Sequence, residues 1–191
     1  MTDLSSWKSL IVPIIAMALV ILLSNIAVQY PVQMMLPVGE EGLNMADWLT
    51  WGAFTYPIAF LVTDTTNRLF GFVAARKVVY AGFLFGVALS FYLADPRIAA
   101  ASGSAFLISQ ILDVVIFDRL RKASWWKAPA ISSLIGSAVD TVLFFSIAFA
   151  GTGLPWMGWA VGDFAAKLLM IALLLYPFKL ITGAVAAPAR S

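Results

Sequence analysis

Six long apolar stretches, separated by short polar or turn-forming segments, account for most of the chain. They run over about 10–30, 51–71, 78–94, 102–119, 129–150 and 155–178. Each is close to the roughly 17–25 residues an α-helix needs to cross a bilayer. Pro31 closes the first stretch, Gly71 closes the second, and Pro96 follows the third. Pro129 and Pro155 stand at the start of the fifth and sixth, where a missing N–H costs a helix nothing. Pro57 lies inside the second stretch and predicts a kink there. The first stretch is longer than the roughly 7–15 residues of a signal-peptide core and ends without a small-x-small cleavage pattern, so it reads as a retained span. The pattern predicts an all-α polytopic membrane protein: one domain over 1–191, a bundle of six transmembrane helices in a lipid bilayer.

Charge orients the bundle. With the N-terminus on one side, Lys8, Arg76, Lys77, Arg119, Arg121, Lys122, Lys127, Lys179 and Arg190 share that side, and Arg97 is alone opposite. The connection over 31–50, on the Arg97 side, carries Glu40, Glu41 and Asp47 and no base. Lys and Arg gather in cytoplasmic loops, so both termini are expected in the cytoplasm. Trp125 and Trp126 beside Lys127 suit an interfacial anchor better than a nucleic-acid patch, and no nucleic-acid partner is expected.

Composition narrows the chemistry. The chain is 62% hydrophobic and only 12% charged, against about 25% charged in a soluble domain, and its mean hydropathy is +0.93. It has no cysteine and no histidine, which excludes disulfides, thiol nucleophiles, zinc fingers and imidazole catalysis. Carboxylates are left to carry any proton or ligand chemistry. No metal site and no cofactor is expected.

Four aspartates, Asp64, Asp113, Asp140 and Asp163, interrupt four of the apolar stretches. A charge near the bilayer centre costs roughly 2.5–3.5 kcal/mol even on lenient insertion scales. At about 1.5 Å per residue, Asp64 lies about 20 Å from the outer end of its span, and the other three lie roughly 12–18 Å from the nearer starts of theirs. All four therefore fall in the middle third of a core about 30 Å thick.

Helical periodicity gives each a face. Tyr56, Phe60, Asp64 and Arg68 form one stripe with Asn67 beside it. Phe106, Ser109, Gln110 and Asp113 share another. Ser133, Gly136, Ser137, Asp140 and Thr141 make a third, and Trp159, Asp163 and Lys167 a fourth. Turned inward, the four stripes would converge on one cavity. Plainer readings exist. Asp64 with Arg68, and Asp163 with Lys167, have the acid-then-base spacing of four that simply neutralises charge along a helix. The Ser132/Gly136 and Ser133/Ser137 pattern is a small-residue packing surface, which also offers a face for a homodimer. Asp113 and Asp140 have no base on their own helix; ligand or proton contact, or pairing with Arg68 or Lys167 across the bundle, is open to them. Four acids against Arg68 and Lys167 leave an excess of two negative charges, which favours a cationic or donor-rich ligand, a cation, or protonated aspartates.

Aromatic rings beside carboxylates and amides suit a flat heterocycle. The rings stack on its face while a carboxylate accepts from a ring N–H and an exocyclic amine, and Gln or Asn serves the opposite edge. A purine-like ligand fits this chemistry; so would a sugar or an amino acid.

Several strings carry a resemblance. Tyr56-Pro57 precedes Thr63-Asp64, Asn67-Arg68 follow, Gly71 stands seven residues past the aspartate, and Ala74-Ala75-Arg76 comes after. The stretch Ala101-Ser102-Gly103-Ser104-Ala105-Phe106-Leu107-Ile108-Ser109-Gln110-Ile111-Leu112-Asp113 forms a second motif. Trp125-Trp126-Lys127-Ala128-Pro129 with Ser137-Ala138-Val139-Asp140-Thr141 and Phe144-Phe145 forms a third. Together, over about residues 10–180, they resemble the queuosine precursor transporter family, also called the vitamin uptake transporter family. One position departs: much of the wider family has Glu where Arg68 stands, and Arg is similar to the enterobacterial and proteobacterial branch. The resemblance implies uptake of 7-cyano- or 7-aminomethyl-7-deazaguanine across a bacterial inner membrane. It implies substrate-binding roles for Asp64, Asn67, Arg68, Ser109, Gln110, Asp113, Ser137, Asp140 and Thr141. Phe60 enters as a stacking candidate, and Asp163 and Lys167 enter on depth.

The expected mechanism is alternating access around a midplane site. One alternative is a substrate-binding membrane subunit that borrows an ATP-driven module; the chain has no Gly-x-x-x-x-Gly-Lys-Ser/Thr loop of its own. An intramembrane aspartyl enzyme is a weaker rival, because no Gly-x-Gly-Asp string precedes any of the four aspartates. A structural protein would tolerate substitution at all four. The expectation is a transporter, not an enzyme.

Overall fold

The computed structural model describes residues 7–37, 42–93 and 95–186; Glu40, Glu41 and Arg190, used above to orient the chain, lie outside them. The protein is an all-α polytopic membrane protein. Its helices are α1 (Ile11–Ala27), a four-residue α2 (Gly52–Thr55), α3 (Ile58–Phe70), α4 (Phe72–Leu93), α5 (Pro96–Leu120), α6 (Lys127–Phe149) and α7 (Trp156–Ala186). Helices α4 to α7 are each long and apolar enough to cross a membrane, and α1 is a shorter apolar helix.

The second apolar stretch is broken where Pro57 predicts it. Pro57 has no N–H to continue the ladder, and the joint between α2 and α3 closes instead with short-range bonds from the Ala59 N–H to the Tyr56 carbonyl (3.0 Å) and from the Phe60 N–H to the Pro57 carbonyl (3.1 Å). Gly71 then makes the whole corner between α3 and α4. Its φ of 92° is a conformation that glycine adopts without steric cost, and α4 begins at the next residue. Arg76 and Lys77 therefore ride on the first turns of α4 rather than in a loop. Helix α5 starts at Pro96, six residues before the apolar stretch does, because Asp95 caps it by accepting from the Arg97 N–H (2.9 Å).

Polarity is inverted relative to a water-soluble protein. Leu19, Leu84, Val142, Val161, Leu169 and Leu173 face outward, as lipid contact allows, while Thr63, Asp64, Asn67, Ser109, Gln110, Asp113, Ser132 and Ser137 are buried. Helices α1, α3, α4 and α5 share one apolar core around Met17, Ala59, Val78, Val79 and Val114. On α6, Gly136 lets its neighbours close in: a Cβ there would stand 2.8 Å from the Phe60 ring and 3.3 Å from the Ser109 carbonyl. The Ser/Gly face of α6 is thus spent inside the chain. Ser132, Ser133 and Ser137 are buried, so that face is not available to a second copy.

The two ends of the bundle differ. At the basic end, Arg68 and Arg121 each donate to the other's backbone carbonyl (2.8 Å both), Lys77 lies over Trp7, and Lys179 lies over Trp125. At the opposite end, here called the loop end, the chain over 31–50 forms a small antiparallel pair, β1 (Met35–Leu36) with β2 (Leu43–Asn44). A 3-10 turn, Met45–Asp47, follows, and Trp48 packs on Gly158 and Gly162 of α7. Arg97, the lone base at this end by charge pattern, donates to the Ile147 and Ala150 carbonyls (2.8 and 2.6 Å) and so satisfies the last turn of α6. The turn from α6 to α7 carries Gly151 and Gly153, both at φ 78°.

Candidate functional site

A cavity of about 760 Å³ opens at the loop end and runs into the bundle. Its walls come from Ser24 and Asn25 of α1, Val28 just after it, Trp48, Gly52, Tyr56, Ser90 of α4, Ser102 and Ala105 of α5, Phe144, Phe145 and Phe149 of α6, and Trp159 of α7. Asp140, Asp163 and Lys167 close its deep end. Phe144, Phe145, Phe149 and Trp159 form a run of edge-packed and tilted rings, the Phe145–Phe149 and Phe149–Trp159 centroids being 5.9 and 5.4 Å apart.

The floor is a buried ion cluster. Lys167 Nζ donates to Asp140 Oδ2 (2.8 Å) and to Thr141 Oγ1 (3.0 Å) and pairs with Asp163 Oδ2 (2.5 Å). Thr141 donates to Asp163 (2.7 Å), and Ser109 donates to Asp140 Oδ1 from behind (3.3 Å). All three ammonium protons have acceptors, and the Tyr56 ring lies 5.8 Å from Nζ. Such pairing is what makes a buried charge tolerable, because desolvation penalises each ion by several kcal/mol. The sequence builds the floor through simple spacing. Asp163 and Lys167 stand four apart on α7; Ser137, Asp140, Thr141, Phe144 and Phe145 share a face of α6. With Lys167 charged, two carboxylates against one ammonium leave one uncompensated negative charge.

The other two aspartates belong to a separate, closed cluster nearer the basic end. Ser132 and Ser133 hold Asp64 (3.3 and 3.1 Å). The Thr63 hydroxyl lies 3.0 Å from Gln110 Oε1 and 3.5 Å from Asp113 Oδ2. Asn67 donates to the Val114 carbonyl (3.1 Å). Phe60 is buried beside this cluster, under Gly136. None of these residues lines the large cavity.

The expected convergence of four stripes on one cavity is therefore corrected: Asp140, Thr141, Asp163 and Lys167, backed by Ser109, make one site, and Asp64, Asn67, Gln110 and Asp113 make another. Ser137 is buried with its hydroxyl unpartnered. Arg68 joins neither. Its guanidinium turns to the basic end, over the Phe117 and Phe178 rings (5.2 and 5.8 Å), so neither an Asp64–Arg68 nor an Asp113–Arg68 pair exists among the described residues. The expected Asp163–Lys167 neutralisation is present, and Asp140 joins it across the bundle. Sequence reasoning missed Ser24, Asn25, Trp48, Ser90 and Ser102 as walls. The adjacent polar pair Ser24-Asn25 inside an otherwise apolar helix was the available signal.

The family model described as "Putative vitamin uptake transporter" matches residues 50–95 and 90–189, most of the chain and both polar clusters. The chain belongs to the vitamin uptake transporter family. It is similar to the "Queuosine precursor transporter" of Escherichia coli (strain K12), 37% identical over 185 residues, which covers 83% of this chain and 79% of that protein. It is similar also to the "Probable queuosine precursor transporter" of Haemophilus influenzae, 36% identical over 184 residues (82% and 78%), and to that of Bacillus subtilis (strain 168), 28% identical over 130 residues (53% and 57%). No solved structure matches. As a member of the vitamin uptake transporter family with relatives named as transporters, the protein is a multi-pass membrane transporter and not an enzyme. Its motifs are divided between the clusters: Thr63, Asp64, Asn67 and Asp113 fall in the closed one, Tyr56, Asp140, Phe144 and Phe145 line the cavity, and Ser109, next to Gln110 on α5, donates to Asp140.

Proposed function

We propose that this transporter takes up queuosine precursors, 7-cyano-7-deazaguanine and 7-aminomethyl-7-deazaguanine, binding them in the loop-end cavity and releasing them at the basic end by alternating access. The observation that carries the proposal is the floor of the cavity: Asp140 and Asp163 held by one lysine beneath a run of aromatic rings. A flat deazapurine stacks among Phe145, Phe149 and Trp159. One carboxylate oxygen accepts from its ring N–H and the other from its exocyclic amine. The volume, about 760 Å³, lies within the roughly 300–1,000 Å³ usual for small-molecule sites. The three relatives named for queuosine precursors support the same ligand class.

Bringing the ligand to the floor costs Asp140 or Asp163 part of its hold on Lys167. The ligand donors replace that contact, so binding and rearrangement of the floor are one event. The aminomethyl precursor brings its own ammonium to a floor with one negative charge to spare, and it binds more tightly than the cyano precursor. At the closed end, Phe60 under Gly136 is the group that moves aside for release. The clustering of Lys and Arg at that end supports a cytoplasmic location for both termini, in the inner membrane of a bacterium.

The test is uptake of labelled 7-cyano-7-deazaguanine into liposomes containing only this protein. Wild-type protein accumulates the label, and Asp140→Asn, inserted and folded, does not. Binding in detergent without uptake in liposomes would instead favour a subunit that needs an energising partner. Neither binding nor uptake by folded protein would overturn the reading.

A further inference from the structure

The closed cluster holds two acids without a base. Asp64 of α3 and Asp113 of α5 are almost completely buried (2% and 0% exposed) and belong to one cluster: Ser132 and Ser133 donate to Asp64, and the hydroxyl of Thr63, next to Asp64 in the chain, lies 3.5 Å from Asp113 Oδ2. The charged groups of the surrounding elements are engaged elsewhere. On α3, Arg68 donates to the Arg121 carbonyl; on α5, Asp118 pairs with Arg121. On α6 and α7, Asp140, Asp163 and Lys167 are bound to one another. On α4, Arg76 donates to Tyr80 and Lys77 lies over Trp7. Two bare carboxylates buried in one cluster, with no ion pair to either among the described residues, are poorly solvated and repel each other; a proton on one of them relieves both costs.

Two further observations show that this is more than a satisfied polar core. Gln110 Nε2, Asp113 Oδ1 and Ser137 Oγ are buried in this region without any partner, whereas buried polar groups that serve only structure are normally paired. Asp64 and Ser133 also border a small void of about 20 Å³ among α3, α6 and α7, enough for a single water, which needs roughly 10–15 Å³. The cluster and the cavity floor are neighbours along α5. Ser109, which donates to Asp140, stands one turn before Asp113 on α5 and next to Gln110.

We propose that Asp64 and Asp113 form a proton-binding station, separate from the ligand cavity, through which uptake is coupled to inward proton movement. This rests on the transport reading above. One proton from the loop side forms an O–H bond on a carboxyl oxygen of the pair. When the closed end opens, that bond breaks and the proton leaves toward the basic end. Nothing is oxidised or reduced, and one positive charge accompanies each neutral precursor. The unpartnered Gln110 and Ser137 groups find acceptors, donors or water in the rearranged state.

The experiment uses proteoliposomes loaded with a pH-sensitive dye and labelled 7-cyano-7-deazaguanine. It measures exchange of label against unlabelled precursor at equal pH, and separately proton entry and accumulation under an inward proton gradient. Wild-type protein is expected to exchange, to admit one proton per precursor, and to accumulate label only with the gradient. Asp64→Asn and Asp113→Asn are expected to keep exchange and to lose both proton entry and accumulation. Exchange by wild type without proton entry overturns the proposal while leaving the transport reading intact. Variants that still accumulate against the gradient, or that lose exchange together with accumulation, overturn it as well; in the second case the pair belongs to ligand binding or folding. Absence of wild-type exchange is instead the failure of the transport reading itself.

Discussion

The bundle buries two pairs of aspartates and handles them differently. At the cavity floor, Asp140 and Asp163 share Lys167, whose three donors are all used. In the closed cluster, Asp64 and Asp113 have only hydroxyls as hydrogen-bond partners and no ion pair among the described residues. The same side chain therefore meets two solutions to one problem. An ion cluster stays charged and can trade one partner for a ligand. A pair without a cation is accommodated, in the proposal above, by a proton. Proximity to the aqueous mouth separates them: the floor is reached from the loop end, while the closed pair lies behind Phe60 and the α5–α6 contact at Gly136.

Removing the lysine breaks this contrast most severely. Lys167→Met leaves two carboxylates facing each other at the floor. It is expected to abolish uptake and to destabilise the protein by about 3–5 kcal/mol, the cost of orphaning one side of a buried ion pair, read as a lowered melting temperature in detergent. The two floor acids should then separate by burial. Asp140 is the more enclosed, with its side chain 6% exposed against 16% for Asp163. Asp140→Asn is expected to eliminate uptake, whereas Asp163→Asn weakens precursor binding by roughly 10-fold, near the value of one charge-assisted hydrogen bond of about 1.5 kcal/mol. Equal losses would mean that both acids touch the ligand alike. Gly136→Ala tests the partition between the regions. Its Cβ meets the Phe60 ring at 2.8 Å, and forcing that ring aside is expected to cost about 1–3 kcal/mol of stability. The smallest effect is expected from Arg68→Gln, which belongs to neither region. It loses the mutual clamp with Arg121, worth about 1–2 kcal/mol, and leaves uptake per folded molecule unchanged. A collapse of uptake in that variant would tie Arg68 to the site after all.

Much of this was legible in the chain. Apolar runs marked the helices, Pro57 marked the break before α3, and spacing of four on α7 marked the Asp163–Lys167 pair. The division of the aspartates was not legible, because depth counted from apolar boundaries misplaces a helix whose start is set by a cap. From residue 102, Asp113 is about 16 Å deep; from Pro96, where Asp95 caps α5, it is about 26 Å deep at 1.5 Å per residue. Asp140 is about 14 Å from the end of α6 by the same measure. That difference places the two acids in different compartments. Arg68 was misjudged for another reason. Its position four after Asp64 suggested a pair, but a long guanidinium near a helix end reaches outward readily, and the Arg121 carbonyl with the Phe117 and Phe178 rings offered it a place there.

The turn between α6 and α7 has a practical use. Nothing lies within 4 Å of the positions a side chain would occupy at Gly151 or Gly153, so a short peptide epitope spliced next to Thr152 has room to fold out of the way. It would sit at the mouth of the cavity, at the opposite end from Lys77 and Arg121. An antibody added to spheroplasts, whose outer membrane has been opened, then distinguishes the two possible insertions of the whole bundle with a single stain, without any transport assay.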